Sequence, residues 1–411
     1  MLAQVGVRGK EWQGSTAGEP YNLAHVDLAL ELSEEQRALQ GTVREFAEAE
    51  IAPYAAEWDR NQCFPAAAIR KLGELGVMGL PFPEEYGGVG AGSVSFAIAM
   101  EELARVDSSV AITVGASVSL GGTPILSFGT EQQKQRWLVP LARGESIGAF
   151  ASTEPGMGSD VQGLATSARK DGEGWLINGT KAYITNAGTE MSSFVTTTAA
   201  TGERGEGRRE ISTFIVPVDA PGFAPQQPYA KMGWHASDTR ELVFQDCQVP
   251  PDALLGERGM GARIFLATLD SGRVGVAAMG VGLAVGCLEH SVRWANERCA
   301  FGQPIARYQA VSFELAELKA RIDAAREMVH RAARLKDAGK PVTEAAAAAK
   351  LIASELAVHA ANVAMQVHGG YGYMEDSGIP RFYRDAKILT IGEGTSEILK
   401  LVIARHMGLS V

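Results

Sequence analysis

TKAYIT at 180–185, SFVTTT at 193–198, ISTFIVPV at 211–218 and ELVFQDCQVP at 241–250 are the stretches that decide how this chain folds. Each is rich in β-branched and aromatic residues, and Gly, Asp, Asn and Pro separate them, which is the pattern of strands joined by turns. They predict a small antiparallel β domain over 148–258, inserted in a chain whose pattern is otherwise helical.

On the N-terminal side the spacing is helical over 27–147. Ser33 followed by Gln36 reads as a capping box, and Leu39, Val43, Phe46 and Ile51 recur at helical spacing. Thr130 with Gln133 repeats the capping signal before Trp137 and Leu138. On the C-terminal side, 259–411, the helical pattern returns over 260–296, 308–337 and 343–368, the last rich in Ala and stopped by Gly369 and Gly370. Helices this long are buried by four-helix packing. The expected fold is therefore mainly α with a central β domain, and residues 1–26 form a loose tail.

With 411 residues and 46% hydrophobic composition, the chain exceeds what one core usually serves, so two or three packed units are expected. A net charge of −10 with no Lys/Arg cluster argues against nucleic acid. Cys63, Cys247, Cys287 and Cys299 are scattered without CxxC pairing, which suits a reducing cytoplasm. The N-terminus has neither a signal-peptide nor a transit-peptide pattern. The most apolar uncharged run, Val274 to Leu288, is shorter than the roughly 18 residues a bilayer requires, so no membrane insertion is expected. His235, His290 and His368 are not spaced as metal ligands, and no Ser/His/Asp ordering suggests a hydrolase.

Four groups of residues could carry chemistry. In FASTEPGMGSD at 150–160, Ser152, Thr153, Gly156, Gly158 and Ser159 crowd into a loop at the end of a predicted strand. Backbone N–H groups and hydroxyls in such a loop approach a polar ligand closely, although an ordinary turn has the same composition. In NGTKAYITNAG at 178–188, Asn178-Gly179 reads as a hairpin turn, and Tyr183 and Thr185 fall on one face of the following strand. That pair suits a planar heterocycle; it equally suits an aromatic packed on a sheet. In IGEGTSEI at 391–398, Glu393 lies between Gly392 and Gly394, just before Thr395, Ser396 and Glu397 open a final helix. Burial beside an apolar chain would raise such a carboxylate toward the pKa of a general base, whereas a solvated loop glutamate is the alternative. The fourth group comprises LDSGR at 269–273, ERCAFGQPI at 297–305, Gln309 and QVHGGYGY at 366–373. The planar fork of Arg298 suits a pyrophosphate, while surface ion pairing is the rival reading for Arg273 and Arg298.

Together with KMGWHASDTRELVFQDCQVP, GMGARIFLATLDSGR and YRDAKI, these segments closely resemble, in order, the acyl-CoA dehydrogenase family from about Leu30 to the C-terminus. The resemblance implies an N-terminal α-helical domain, a middle β domain and a C-terminal four-helix bundle, with FAD as cofactor. It places Phe150, Ser152, Thr153, Gly158 and Ser159 along the flavin, Tyr183 over one flavin face beside Ile184, and Thr185 at its reactive edge. Arg298, Phe301, Gln309, Gln366, Gly369 and Gly370 would hold the ADP half of FAD from a neighbouring subunit, with Thr395 and Glu397 meeting the cofactor locally. Ser159, Asp270, Arg273 and Gly394 would contact the acyl-CoA substrate, Asp270 and Arg273 on its pantetheine and adenine side. Glu393 would remove the α-proton while FAD accepts the β-hydride, giving a trans-2-enoyl-CoA, and no metal is implied. The resemblance further implies a homotetramer, a dimer of dimers, that passes electrons to electron-transferring flavoprotein.

Some relatives carry the base on the helix here read over 260–296, but the matching position is Gly272, which leaves Glu393 as the matching base. Gly392 replaces an aromatic common before the base and would widen the pocket for a short or branched acyl group, as met in fatty-acid or branched-chain amino-acid breakdown. Ala300 and Tyr183 also depart from common relatives. The alternative on the same fold is an acyl-CoA oxidase or a flavin monooxygenase.

Overall fold

The structure, a computed structural model, describes residues 32–204 and 208–410, so the tail expected over 1–26 lies outside the described residues. The helical part begins with α1 (Glu34–Phe46), α2 (Ala52–Asn61), α3 (Ala66–Glu74), α4 (Gly92–Val106), α5 (Ser108–Gly115), α6 (Thr123–Phe128) and α7 (Glu131–Ala142). Both capping boxes form: Gln36 N donates to Ser33 Oγ at 3.2 Å, and Gln133 N to Thr130 Oγ1 at 3.2 Å. Val43 and Ile51 are fully buried, with Leu39 and Phe46 packed against the same core. A π-helical segment, Ala116–Gly122, joins α5 to α6 and runs so close to the sheet that a Cβ on Gly121 would lie 3.0 Å from the Gly148 carbonyl carbon.

The strands of the middle part are β1 (Ile147–Ala151), β2 (Ser167–Asp171), β3 (Gly174–Thr185), β4 (Ser192–Arg204), β5 (Arg208–Pro217), β6 (Phe223–Pro228), β7 (Thr239–Val249) and β8 (Leu254–Leu255). They make one eight-stranded sheet of order β6-β7-β3-β2-β4-β5-β8, with β1 on β4. The four β-rich stretches are β3, β4, β5 and β7. Most pairs are antiparallel, as expected, but β1 runs parallel to β4, and β2 touches β4 in parallel at Ser167 and Ala200. A parallel pair needs a crossover, and the β2–β3 hairpin supplies it between β1 and β4.

Asn178-Gly179 is not a hairpin turn. β3 runs straight through it, and the register against β7 shifts between Ile177 and Gly179. Asn178 pairs across to β7, its Oδ1 accepting from Asp246 N at 2.8 Å, so the pair spends its turn chemistry on a bulge. The two-residue hairpin lies earlier, between Asp171 and Gly174, where Gly172 takes φ +57°.

The C-terminal part consists of α8 (Gly261–Glu297), α9 (Gln309–Asp337), α10 (Thr343–His368), α11 (Ile379–Ala386) and α12 (Ser396–His406). α10 stops at Gly369, whose φ of +59° a side chain would resist. Glycines let α8 approach its neighbours: a Cβ on Gly280 would lie 2.7 Å from the Ala353 carbonyl oxygen of α10. As a continuous helix α8 is longer than its apolar run suggested, and it and Ser108–Phe128 are apolar and long enough to cross a bilayer, yet their most apolar windows are 94% and 83% buried inside the fold. They are core helices here.

Candidate active site

A short 3-10 turn, Lys387–Thr390, carries the chain from α11 to Glu393. Glu393 takes φ +57° and Gly394 φ +94°, two successive left-handed residues, before Thr395 caps α12 by accepting from Ile398 N at 3.3 Å. A non-glycine residue held in that region marks strain maintained by its surroundings. The loop backbone is partly exposed, but the carboxylate is not: Oε2 is buried and has no hydrogen-bond partner. Burial pushes the Glu393 carboxyl up to about 7, against the opposing charges of Lys350 and Arg273. That value suits proton transfer near neutral pH.

Gly272 of α8 faces this carboxylate. A Cβ there would lie 2.7 Å from Glu393 Oε2 and 2.6 Å from Leu120 Cδ2 of the π-helical segment. The missing side chain is what leaves Glu393 its position. Arg273, next along α8, is 4% exposed and donates from Nη1 to Asp270 Oδ1 at 3.1 Å. Asp270 Oδ2 in turn accepts from Thr343 Oγ1 at 2.6 Å. Arg273 is therefore not in a surface ion pair; its charge faces the Glu393 loop, and its Nη2 lies 3.7 Å from the Cβ position of Gly394.

The second group lies at the end of β1. Phe150 stacks on Phe265 with centroids 6.2 Å apart, and Ser152 and Thr153 are half-buried. Gly158 and Ser159 are exposed, and a Cβ on Gly156 or Gly158 would meet nothing within 4 Å, so the loop's backbone is open to a ligand. Two buried residues that sequence reasoning passed over hold this loop. Lys181 Nζ donates to Glu154 Oε1 at 2.9 Å and to Ser152 O at 3.2 Å, while Glu154 also accepts from Ala165 N and Thr166 N. Burial pulls the Lys181 ammonium down to about 8; Glu154, opposed by its own burial, is still held below its ordinary value by Lys181.

On β3, Tyr183 takes φ +61° at a second bulge and is 67% exposed, its ring 5.3 Å from that of Tyr229. Thr185 is half-buried on the same strand, and Ile184 between them is 3% exposed, so only its main chain is available to a ligand. The third group gathers at the other end of the C-terminal helices. Arg298, Gly369 and Gly370 line one cleft of about 450 Å³ with Trp294, His368 and Tyr371, and the Arg298 guanidinium lies 5.8 Å from the Tyr371 ring centre. Phe301, at φ +51°, is 98% exposed; Gln309, Gln366 and Glu397 are exposed as well. Lys350, which no motif singled out, does join the Glu393 loop: it is fully buried and donates to Gly394 O at 2.7 Å. A signal existed, since it is the only charged side chain between Glu344 and Glu355.

Matches to known proteins cover these regions in order. Residues 33–145 match the acyl-CoA dehydrogenase N-terminal domain, 149–247 the middle domain and 259–408 the C-terminal domain. The short-chain specific acyl-CoA dehydrogenase of Bos taurus mitochondria is 44% identical over 98% of this chain and 96% of its own. The butyryl-CoA dehydrogenase structure from Megasphaera elsdenii is 41% identical with a TM-score of 0.88, over 92% of this chain and 99% of that one. An acyl-CoA dehydrogenase structure from Bacillus anthracis complexed with FAD is 35% identical with a TM-score of 0.86, over 92% of this chain and 67% of that one. The exposed Tyr183, the side-chain-free glycines of the 156–158 loop and the open Gly369–Gly370 turn give a planar ring and a phosphate chain surfaces to rest on, so the residues present fit FAD.

Proposed function

Since the chain belongs to the acyl-CoA dehydrogenase family and is an FAD-dependent enzyme, we propose that Glu393 is the base that removes the α-proton of a short or branched acyl-CoA thioester. The observation that carries this is the buried, unpartnered Glu393 Oε2 opposite Gly272, with its proton affinity raised by burial to near neutrality. A carboxylate oxygen so placed, with no hydrogen bond to break, is free to take a proton from carbon. The α-proton passes to Glu393, and the electron pair of that C–H bond forms the new Cα=Cβ bond as the β-hydrogen leaves with its own pair. When bound, FAD supplies the hydride acceptor that no side chain provides. The Glu393–Gly394 main chain would lie beside the thioester carbonyl, where a backbone donor stabilises developing charge.

The substrate size follows from two supports: the short-chain specific relative with the butyryl-CoA dehydrogenase neighbour, and Gly392, where a Cβ would meet only Ile388 O at 3.7 Å. Asp270 and Arg273 would contact the substrate on its pantetheine and adenine side while supporting the loop from beneath, and Ser159 at the mouth would meet the CoA. Phe150, Ser152, Thr153, Gly158, Tyr183, Ile184 and Thr185 would hold the flavin ring region, with Thr395 and Glu397 near it. Arg298, Phe301, Gln309, Gln366, Gly369 and Gly370 would serve the ADP half bound by a neighbouring copy in a homotetramer, which the 98% exposure of Phe301 favours. Electron-transferring flavoprotein would be the acceptor.

The test is anaerobic mixing of the yellow holoenzyme with butyryl-, isobutyryl-, isovaleryl- and palmitoyl-CoA, following flavin bleaching and enoyl-CoA formation. Wild type should bleach with the short or branched thioesters, and Glu393→Gln should be slower by about 10²–10⁴-fold. Bleaching by none of them would remove the substrate class; an equally fast glutamine variant would remove the base. Reoxidation faster by oxygen than by electron-transferring flavoprotein would favour the oxidase alternative.

A further inference from the structure

From the geometry around the base loop we infer that Lys350 is a positioning residue for the reaction: its ammonium anchors the left-handed Glu393–Gly394 turn and sets a positive charge beside the base. The inference rests on the reading of Glu393 as base. Lys350 stands on α10, fully buried, where an ammonium is costly unless its environment rewards the charge. Its hydrogen bond goes to the Gly394 carbonyl oxygen at 2.7 Å and not to the carboxylate, whose Oε2 stays free for a proton from substrate.

Two consequences follow from that placement. The turn holds Glu393 at φ +57° and Gly394 at φ +94°, and the strain of a non-glycine residue in that region is offset by bonds made in this conformation. Thr395 provides one as the cap of α12, and Lys350 the other. Second, the charged groups facing the carboxylate are Lys350 from α10 and Arg273 from α8, the latter held by Asp270; the π-helical segment contributes Leu120. Both cations favour the ionised base, and burial opposes them. Lys350 itself is pulled down to about 8 by burial, with Glu393 raising and Arg273 lowering it further, so at neutral pH it is still largely charged.

The experiment measures the pH dependence of kcat/KM for flavin reduction by butyryl-CoA in holoenzymes of wild type, Lys350→Met and Lys350→Gln, with flavin content and Tm recorded for each. Reduction of wild type and its loss in Glu393→Gln establish the underlying reading first, so a failure there is separate from a failure here. Both neutral variants should move the acid limb upward by about one pH unit or more, the size expected for deleting a neighbouring opposite charge. Lys350→Gln, which keeps a donor for the Gly394 carbonyl, should retain a higher plateau kcat than Lys350→Met. An acid limb unmoved in either folded variant overturns the inference, because a lysine that only packs and hydrogen-bonds would lower stability without moving it. If neither variant accumulates as holoenzyme, Lys350 is a folding residue and the inference is withdrawn.

Discussion

Glu393 shows how a residue's backbone, burial and charge combine. The flanking glycines admit the left-handed turn, the turn aims the carboxylate inward, and burial then lifts its pKa from 4.5 to about 7. A carboxyl whose folded pKa lies above its unfolded one stabilises the fold only while protonated. Its contribution is complete below about pH 4.5 and is lost as the pH rises through about 7. Glu393→Gln, which cannot ionise, should therefore have a Tm close to wild type near pH 4.5 and a growing advantage up to pH 7, reaching on the order of 3 kcal/mol above it. Calorimetry of both holoenzymes across pH 5–9 checks this, and a constant gap would mean that the carboxyl is solvated. The proposal of Glu393 as the base rests at the sequence level on two flanking glycines and a family pattern. Its partner Lys350 was not, because a lysine in an alanine-rich helix declares a buried charge but not what it faces.

At the scale of an element, β3 does more than pair with its neighbours. It carries Tyr183 outward at a bulge and sends Lys181 inward, where it meets Glu154 under the 152–159 loop, so one strand supplies both a ring surface and the loop's anchor. Lys181→Met would leave Glu154 buried with only two backbone N–H donors. Removing one partner of a buried pair costs about 3–5 kcal/mol, so the variant should lose several degrees of Tm and release FAD on gel filtration. Adding Glu154→Gln should restore part of both, and flavin absorbance across the eluted peak shows whether it does. The sequence reading placed a hairpin at Asn178-Gly179 because that dipeptide favours tight turns. The long β3–β7 ladder outweighed the local preference and turned it into a bulge, while the caps at Ser33 and Thr130, which depend on neighbours three residues away, were read correctly.

The whole molecule is tied together by buried charges between its parts. Arg105 of α4 meets Glu102 at 3.1 Å, Glu289 of α8 at 2.9 Å and Glu48 at 2.7 Å. Arg326 of α9 holds Glu101 of α4 at 2.7 Å. Asp385, within the YRDAKI motif, accepts from Trp234 N at 2.6 Å and Ser108 Oγ at 2.8 Å, joining the segment after β6 to α5 and α11. Burial, with Asp107 nearby, pushes Asp385 up to about 6. Arg105→Met should destabilise by about 3 kcal/mol, the low end for a broken buried network, because Arg44 also pairs with Glu102 and Glu289. Since Arg105 does not touch the base loop's cations, kcat and KM of the folded holoenzyme should stay within about twofold of wild type, in contrast to Lys350→Met. A large loss of kcat at full flavin content would show that the interface between α4 and α8 also shapes the site.

Taken by itself, the sequence determined what short-range physics controls: helix periodicity and caps, the β-rich middle, the glycine-flanked glutamate and the motif order that names a family. Only the tertiary structure decided which distant residues meet. The parallel seating of β1 on β4, the burial of Lys181 against Glu154, Arg273 turning inward and Lys350 reaching Gly394 each join positions far apart in the chain. Local pattern carries no record of such pairs, because the energy that selects them, desolvation of charge offset by one specific partner, exists only once the core has closed around them.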